Sequence, residues 1–272
     1  IGVGETKTSA SIASDIAQVW IETILSAESI GQFRPVNEEE TFELEYWSLE
    51  QAKLGSKKSP RLSGQVVLIT GAGGTIGREI AKEFYKNGAE IICLDKDFNS
   101  AKKTADQCGN NSLALEYDLT DQANINKIFN EILFNFGGLD ILISNAGIAL
   151  EGNLFDLEDE KFQKSIQINL ISHHLLSQNS LKIFKSQDYF ITKNEDYLGG
   201  QLLFNISKQA LNPGKGFGAY GISKAALLAL MKQYALEAAG SKIRSNGINA
   251  DRIKSGLLDE ELIKKKSKIK RG

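Results

Sequence analysis

The sequence predicts an α/β protein: a doubly wound parallel sheet with helices on both faces, preceded by a helical extension. Three observations carry that class. From residue 64 onward, short β-branched runs alternate with helical stretches. A glycine-rich turn joins the first such run to the first such helix, and the sixty residues before it show helical periodicity and no strand pattern. With 272 residues, 42% of them hydrophobic, the chain can fill one large core and carry an appendage. The 32 Lys and Arg against 34 Asp and Glu leave a net charge of -2, which gives no electrostatic case for nucleic acid or an anionic membrane surface. Cys93, Cys108, His173 and His174 lack the spacing of a four-ligand zinc site, and two cysteines make no disulfide framework, so no metal is expected. No apolar run approaches the roughly 20 residues that span a bilayer. A reduced, cytoplasmic globular protein without a membrane partner is the expectation.

The elements follow in order. Ile12, Ile16, Val19, Trp20, Ile24, Ala27 and Ile30 recur at spacings of three and four, the mark of one apolar helical face, and Pro35 interrupts it. Asn37 followed by Glu40 reads as a capping box opening a second helix with Phe42, Tyr46, Trp47, Leu49 and Leu54. A polar linker, 55–60, closes this part. The expected division is a helical extension and linker over 1–61 and the sheet domain over 62–272. Two helices enclose no core, so the extension must pack on the following domain or on a partner. Strands are predicted at Gln65–Thr70, Glu90–Asp95, Ser112–Tyr117, Leu139–Ser144, Gln201–Ile206 and Ile243–Asn249, with helices to Asn87 and around 98–107, 121–136, 159–180 and 217–239.

Thr70-Gly71-Ala72-Gly73-Gly74-Thr75-Ile76-Gly77 sits between a predicted strand and a predicted helix. In that context glycines let the backbone turn tightly and approach a pyrophosphate, which rests on the helix N-terminus. The bland reading is a glycine-rich loop. Asp95 weighs against it: it ends the second strand 24 residues after Gly71, where a carboxylate can accept both hydroxyls of an adenosine ribose. The same charge repels a 2′-phosphate, favouring NAD over NADP, although Lys96 follows directly.

With that turn in place, residues 62–256 resemble the short-chain dehydrogenase/reductase family, whose sheet is a Rossmann-type fold of strand order 3-2-1-4-5-6. The strongest element is Tyr220-Gly221-Ile222-Ser223-Lys224, a Tyr-x-x-x-Lys whose spacing puts both side chains on one helix face. An ammonium beside a phenol favours phenolate, so Tyr220 is expected to have a lowered pKa and to act as general acid or base, tuned by Lys224. The resemblance further implies cofactor contacts from Gly71, Gly73, Thr75, Ile76 and Gly77. It implies that Asp118 and Leu119 close the adenine pocket, and that Asn145, Ala146 and Gly147 line the site as the Asn-Asn-Ala-Gly motif with Ser144 in first place. Ile253 and Ser255 would flank the nicotinamide, with Tyr220 and Lys224 also contacting the cofactor. Asn169 matches the helix asparagine of a proton relay to the lysine.

The serine can be read two ways. As an Asn-Ile-Ser-Ser motif, Asn205-Ile206-Ser207-Lys208 puts Lys208 in the serine's place and implies a dead site. Counted by spacing, Ser207 lies thirteen residues before Tyr220 and seven after Gly200, as the family's serine does. Spacing fixes reach, so Ser207 is the candidate, and Lys208 is left as a cation without a derived role. The expected catalytic set is Asn169, Ser207, Tyr220 and Lys224.

Departures from the pattern are also legible. Thr75 replaces the middle glycine. Ala250-Asp251 replaces a Pro-Gly beside the nicotinamide, and Asp251 with Arg252 reads either as a substrate-reading device or as a surface ion pair. Lys185–Tyr197 reads as a polar surface excursion, His173 and His174 as packing or interface residues, and Lys264–Arg271 as a solvated basic helix end or an anion site.

Finally, the Glu45–Leu54 helix, Asn212-Pro213-Gly214 and Ala250-Asp251-Arg252-Ile253 resemble bifunctional proteins. In these a class II aldolase domain of the rhamnulose-1-phosphate type precedes a short-chain dehydrogenase. Residues 1–30 would be the tail of such an aldolase, without its metal-binding histidines, and no aldolase activity is expected. The opening at Ile1 and the end at Gly272, ahead of a final strand, point to a piece of something longer. The resemblance implies a small hydroxy-aldehyde or sugar-derived alcohol as substrate and a homodimer or homotetramer through helices 159–180 and 217–239. The competing class is a non-catalytic, nucleotide-sensing Rossmann protein, motivated by Lys208 and the missing Pro-Gly. A nucleic-acid binder using the basic tail is a third, and the near-neutral charge argues against it.

Overall fold

The six expected strands pair into one parallel sheet of order β3-β2-β1-β4-β5-β6. The computed structural model describes residues 2, 4, 7–40, 60–191, 197–251 and 253. These fall in two compact units, Ile1–Gly64 and Gln65–Gly272.

In the first unit, α1 spans Lys7–Ile30 and stops short of Pro35: the Gly31 amide still bonds the Ala27 carbonyl at 2.9 Å, and the helix goes no further. Ile12, Ile16, Val19, Trp20, Leu25 and Ile30 are each more than half exposed. The capping box forms, with the Glu40 amide donating to Asn37 Oδ1 (2.8 Å) and the Asn37 amide donating to Glu40 Oε2 (3.2 Å). The rest of the second helix lies outside the described residues.

In the second unit the elements are β1 (Val66–Thr70), α2 (Thr75–Lys86), β2 (Glu90–Asp95), α3 (Phe98–Gln107) and β3 (Leu113–Glu116). Then come α4 (Gln122–Phe136), β4 (Ile141–Ser144), α5 (Asp159–Ile166), a π-helical turn (Gln167–Ile171) and α6 (Ser172–Ile191). β5 (Gln201–Asn205), α7 (Gly218–Glu237) and β6 (Arg244–Ile248) follow. β1 and β4 are buried along their whole length, as central strands covered on both faces must be. Side-chain caps start the helices where the sequence supplies them: Asp97 accepts the Asn99 and Ser100 amides, and Asp121 accepts that of Ala123. Gly137, at φ 73°, ends α4 in the left-handed conformation that glycine adopts without strain.

One expectation is corrected. Residues Lys185–Ile191 are not a polar excursion but the last turns of α6. Phe184 is fully buried, and Gln187 reaches the sheet, accepting the Leu139 amide (2.9 Å) and donating to Asp140 (3.2 Å). One apolar anchor and one amide suffice to hold an otherwise polar helix end, which periodicity alone underrates. Residues 192–196 lie outside the description. Among the described residues no helix is long and apolar enough to cross a membrane.

The order of strands reverses between β1 and β4. In an open parallel sheet that switch point leaves a crevice at the carboxyl ends of the strands, and it is there that the cavity forms.

Candidate active site

A cavity of about 1020 Å³ runs along those carboxyl ends. Its first wall is the turn after β1. Gly71 takes φ 64°, and a Cβ there would meet the Ala146 backbone at 3.0 Å. Gly77 has no room at all: a Cβ would stand 2.2 Å from the Gly71 carbonyl oxygen, so only glycine lets α2 begin directly against the turn. Thr75 is the first residue of α2, where no side chain caps the helix and its first amides stay available. Gly73, Thr75 and Ile76 line the cavity with Gly71 and Gly77. The Gly73 amide donates to Asp95 Oδ2 at 3.0 Å, which fixes the carboxylate at the end of β2 on the cavity wall.

Asp118 and Leu119 line the same side. Asp118 accepts the Thr120 amide and hydroxyl (2.9 and 2.8 Å), and these bonds hold its carboxyl below the usual carboxylate range. Asn145, Ala146 and Gly147 form the central wall. Thr70 Oγ1 accepts the amides of Asn145 and Ala146, both at 2.9 Å, and Asn145 Nδ2 donates to the Thr70 carbonyl at 2.9 Å. β1 and β4 are thus bolted together where the sheet order reverses.

The chemistry-bearing side chains converge beyond that bolt. Ser207 is 8% exposed, its hydroxyl accepts the Gln209 amide at 3.3 Å, and it lines the cavity together with Tyr220. Lys208 does not take that place: its Nζ stands 2.9 Å from Asp251 Oδ2. Lys224 Nζ lies 5.9 Å from the centre of the Tyr220 ring and donates to the Asn205 carbonyl at 2.8 Å. Asn169 sits on the π-helical turn, fully buried, outside the cavity lining. Its Oδ1 accepts the Ile148 amide and its Nδ2 donates to the Ile148 carbonyl, both at 2.9 Å. A Cβ on Gly147 would come within 3.1 Å of Asn169 Oδ1 and 3.6 Å of Lys224 Nζ, so Gly147 lies close to both side chains. Ile253 lines the cavity; Ser255 and Arg252 lie outside the described residues.

The expected lowering of the Tyr220 pKa by Lys224 is corrected. Burial raises the phenol above its ordinary 10, with the Ser207 bond opposing, while burial pushes Lys224 down to about 8. Spacing counts charges, but desolvation of the phenolate outweighs them here.

Residues that sequence reasoning passed over complete the site. Asn205 joins the two halves, its Nδ2 donating to Asn145 Oδ1 at 2.8 Å while its carbonyl holds Lys224. His173 is buried between Ser144 Oγ (2.7 Å from Nδ1) and the Ala146 carbonyl (2.9 Å from Nε2). Burial and the nearby Lys224 charge push its pKa down to about 3, so it is neutral: Nε2–H donates to Ala146 and Nδ1 accepts from Ser144. Ser144 in place of the motif's asparagine was the available signal, since a short hydroxyl leaves room for an imidazole. Among the described residues no cluster of three metal-ligating side chains forms.

A family model described as short chain dehydrogenase matches residues 65–266. The chain belongs to that family. A second model, aldolase class II, second domain, matches residues 1–54. An uncharacterized oxidoreductase, YuxG, of Bacillus subtilis is 25% identical over 262 residues, covering 94% of this chain and 37% of its own length. The chain thus spans little more than a third of that relative. A sorbitol dehydrogenase of Cereibacter sphaeroides is 30% identical over 202 residues, 74% of this chain and 73% of its own. A 3-ketoacyl-(acyl-carrier-protein) reductase from Brucella melitensis, solved with NADH, superimposes with a TM-score of 0.67 at 29% identity, over 72% of this chain and 79% of that one. The short-chain dehydrogenase part is therefore a nucleotide-binding Rossmann fold. The cradle fits a dinucleotide on this chain's own geometry, through the Cβ-free approach at Gly71 and Gly77, the uncapped start of α2 and the strand-end carboxylate of Asp95.

Proposed function

We propose that the protein is an oxidoreductase that interconverts a small alcohol, or sugar-derived alcohol, and its carbonyl compound with NAD(H). The observation that carries this is the convergence of Ser207, Tyr220 and Lys224 on one cavity wall, with Lys224 Nζ 5.9 Å from the centre of the Tyr220 ring. The similarity to a sorbitol dehydrogenase and to a 3-ketoacyl-(acyl-carrier-protein) reductase supports the reaction class.

When bound, the nicotinamide supplies or accepts the hydride at the substrate carbon. The protein's residues do the rest. Gly71, Gly73, Thr75, Ile76 and Gly77 hold the pyrophosphate; Asp95 accepts the adenosine ribose hydroxyls; Asp118 and Leu119 border the adenine. Asn145, Ala146, Gly147 and Ile253 would flank the nicotinamide end, and the family resemblance adds Ser255, which lies outside the described residues. Ser207 donates a hydrogen bond to the substrate oxygen and orients it. In reduction the carbonyl carbon would take the hydride and the Tyr220 phenol, kept protonated by burial, would give its proton to the oxygen as the alcohol forms; oxidation reverses both transfers. Lys224, held by the Asn205 carbonyl, would present its ammonium to the nicotinamide ribose and to the phenolate left behind, and Asn169 keeps the Ile148 backbone in place beside it.

NAD is the favoured cofactor because Asp95 would confront a 2′-phosphate with a second negative charge. The working unit we infer is a cytoplasmic homodimer or homotetramer built on α5–α6 and α7, with 1–61 as a helical extension to the dehydrogenase domain of 62–272. Tyr220→Phe tests the reading. Alcohol-dependent NAD reduction should fall at least about 1,000-fold, within the range that general acid–base groups contribute, while NADH still binds. Unchanged turnover of every substrate would overturn it.

A further inference from the structure

Two departures from the family pattern, 43 residues apart in sequence, meet in space. Lys208 follows the serine, Asp251 stands in the turn that replaces Pro-Gly, and their side chains form an ion pair of 2.9 Å. The backbone repeats the link, the Lys208 amide donating to the Ala250 carbonyl at 2.8 Å. Both residues line the cavity, and Lys208 directly follows Ser207. Their side-chain exposures, 35% and 61%, make them a poor source of stability, because exposed pairs are well solvated and screened. Their position gives them another use.

We propose that Lys208 and Asp251 are specificity-determining residues that read an uncharged hydroxyl next to the reacting carbon. This rests on the oxidoreductase reading above and deepens it. A hydroxyl is both donor and acceptor, and the pair offers one of each: the ammonium donates to the hydroxyl oxygen while the carboxylate accepts its proton. The pair also sets what is refused. Asp251 already neutralises Lys208, so a substrate phosphate or carboxylate at this point must part them and meet the Asp251 charge. Ile148 and Phe217 line the cavity with apolar surface, and Gln209 Oε1 is committed to the Gly214 amide at 2.6 Å. Lys215, also on the lining, is exposed, as Asp251 is, while Lys208 is half-buried. Substrates of this class are small polyols and hydroxy-aldehydes without an ionised group.

The test compares matched substrates on the intact chain. NAD reduction is measured with propane-1,2-diol against propan-1-ol, and with glycerol against glycerol 3-phosphate, for the unmodified protein, Lys208→Met and Asp251→Asn. The unmodified protein should prefer the diol by at least about tenfold in kcat/KM, the discrimination of a site that hydrogen-bonds a substrate hydroxyl, reduced by exposure. Each variant should lose most of that ratio. Asp251→Asn, which leaves the ammonium uncompensated, should raise the phosphate-to-glycerol ratio, and Lys208→Met should lower it. Melting temperatures should move by less than about 3 °C, since the pair is exposed. An active enzyme whose ratios stay flat in both variants, or that prefers the phosphate unmodified, would overturn the pair's role alone. Bound NAD with no hydride transfer from any alcohol would overturn the oxidoreductase reading and this inference with it.

Discussion

The two halves of the cavity are built on different principles. At the β1–β2 end the site is made of backbone: glycines without room for a Cβ, uncapped helix amides, and a carboxylate held by the Gly73 amide. At the β5–β6 end it is made of side chains, two pairs of which hold one another: Lys208 with Asp251, Asn205 with Asn145. Backbone geometry tolerates almost no substitution and serves an invariant partner, the dinucleotide. Side-chain pairs can be exchanged without disturbing the fold, and that is where a chain can depart from its relatives and choose a substrate.

If that contrast is right, the largest effect should come from the backbone-built half. Gly77→Val would drive a side chain into the Gly71 carbonyl, already 2.2 Å from where a Cβ would stand, and NADH affinity should fall by more than about 100-fold in a fluorescence titration. Near-normal affinity would show that the turn can relax and that the halves differ less than argued. A smaller effect is expected from Asp95→Ala, which leaves the turn intact. The preference for NAD over NADP proposed above, as a ratio of dissociation constants, should shrink about tenfold, the worth of one charge interaction. A ratio that does not move would place discrimination elsewhere.

A third effect, on stability rather than on cofactor binding, lies at the end of β4. His173 has its folded pKa depressed from 6.5 to about 3, so the unfolded chain takes up a proton that the folded one refuses. The sign follows: this stability is complete above pH 6.5 and is lost as pH falls towards 3, by up to about 1.4 kcal/mol per pH unit. Urea unfolding of His173→Gln should show a shallower loss over that window than the unmodified protein. Identical slopes would mean that the imidazole protonates freely in the fold.

The same contrast explains what could be read in advance. Strands such as Val66–Thr70 are buried on both faces and show as unbroken apolar runs, so the strands were legible, while their order was implied by the family resemblance. So was the glycine turn, because its chemistry is local. What escaped was long-range: nothing near Lys208 in sequence announces Asp251, and nothing near Asn205 announces that its carbonyl holds Lys224. The Tyr220 pKa was expected to fall because Lys224 lies one helical turn away, whereas burial raises it. The end of α6 was missed because a single buried Phe184 and the reach of Gln187 replace a periodic apolar face.

The central claim is hydride transfer governed by Tyr220. Its most direct test uses NADH deuterated at the nicotinamide C4 and a small hydroxy-aldehyde, with the alcohol product analysed by mass spectrometry. The unmodified protein should deliver one deuterium to the former carbonyl carbon, and Tyr220→Phe should do so at least about 1,000-fold more slowly with NADH still bound. Bound NADH with no deuterium transferred by the unmodified protein to any aldehyde, or equal rates in the two proteins, would contradict the account.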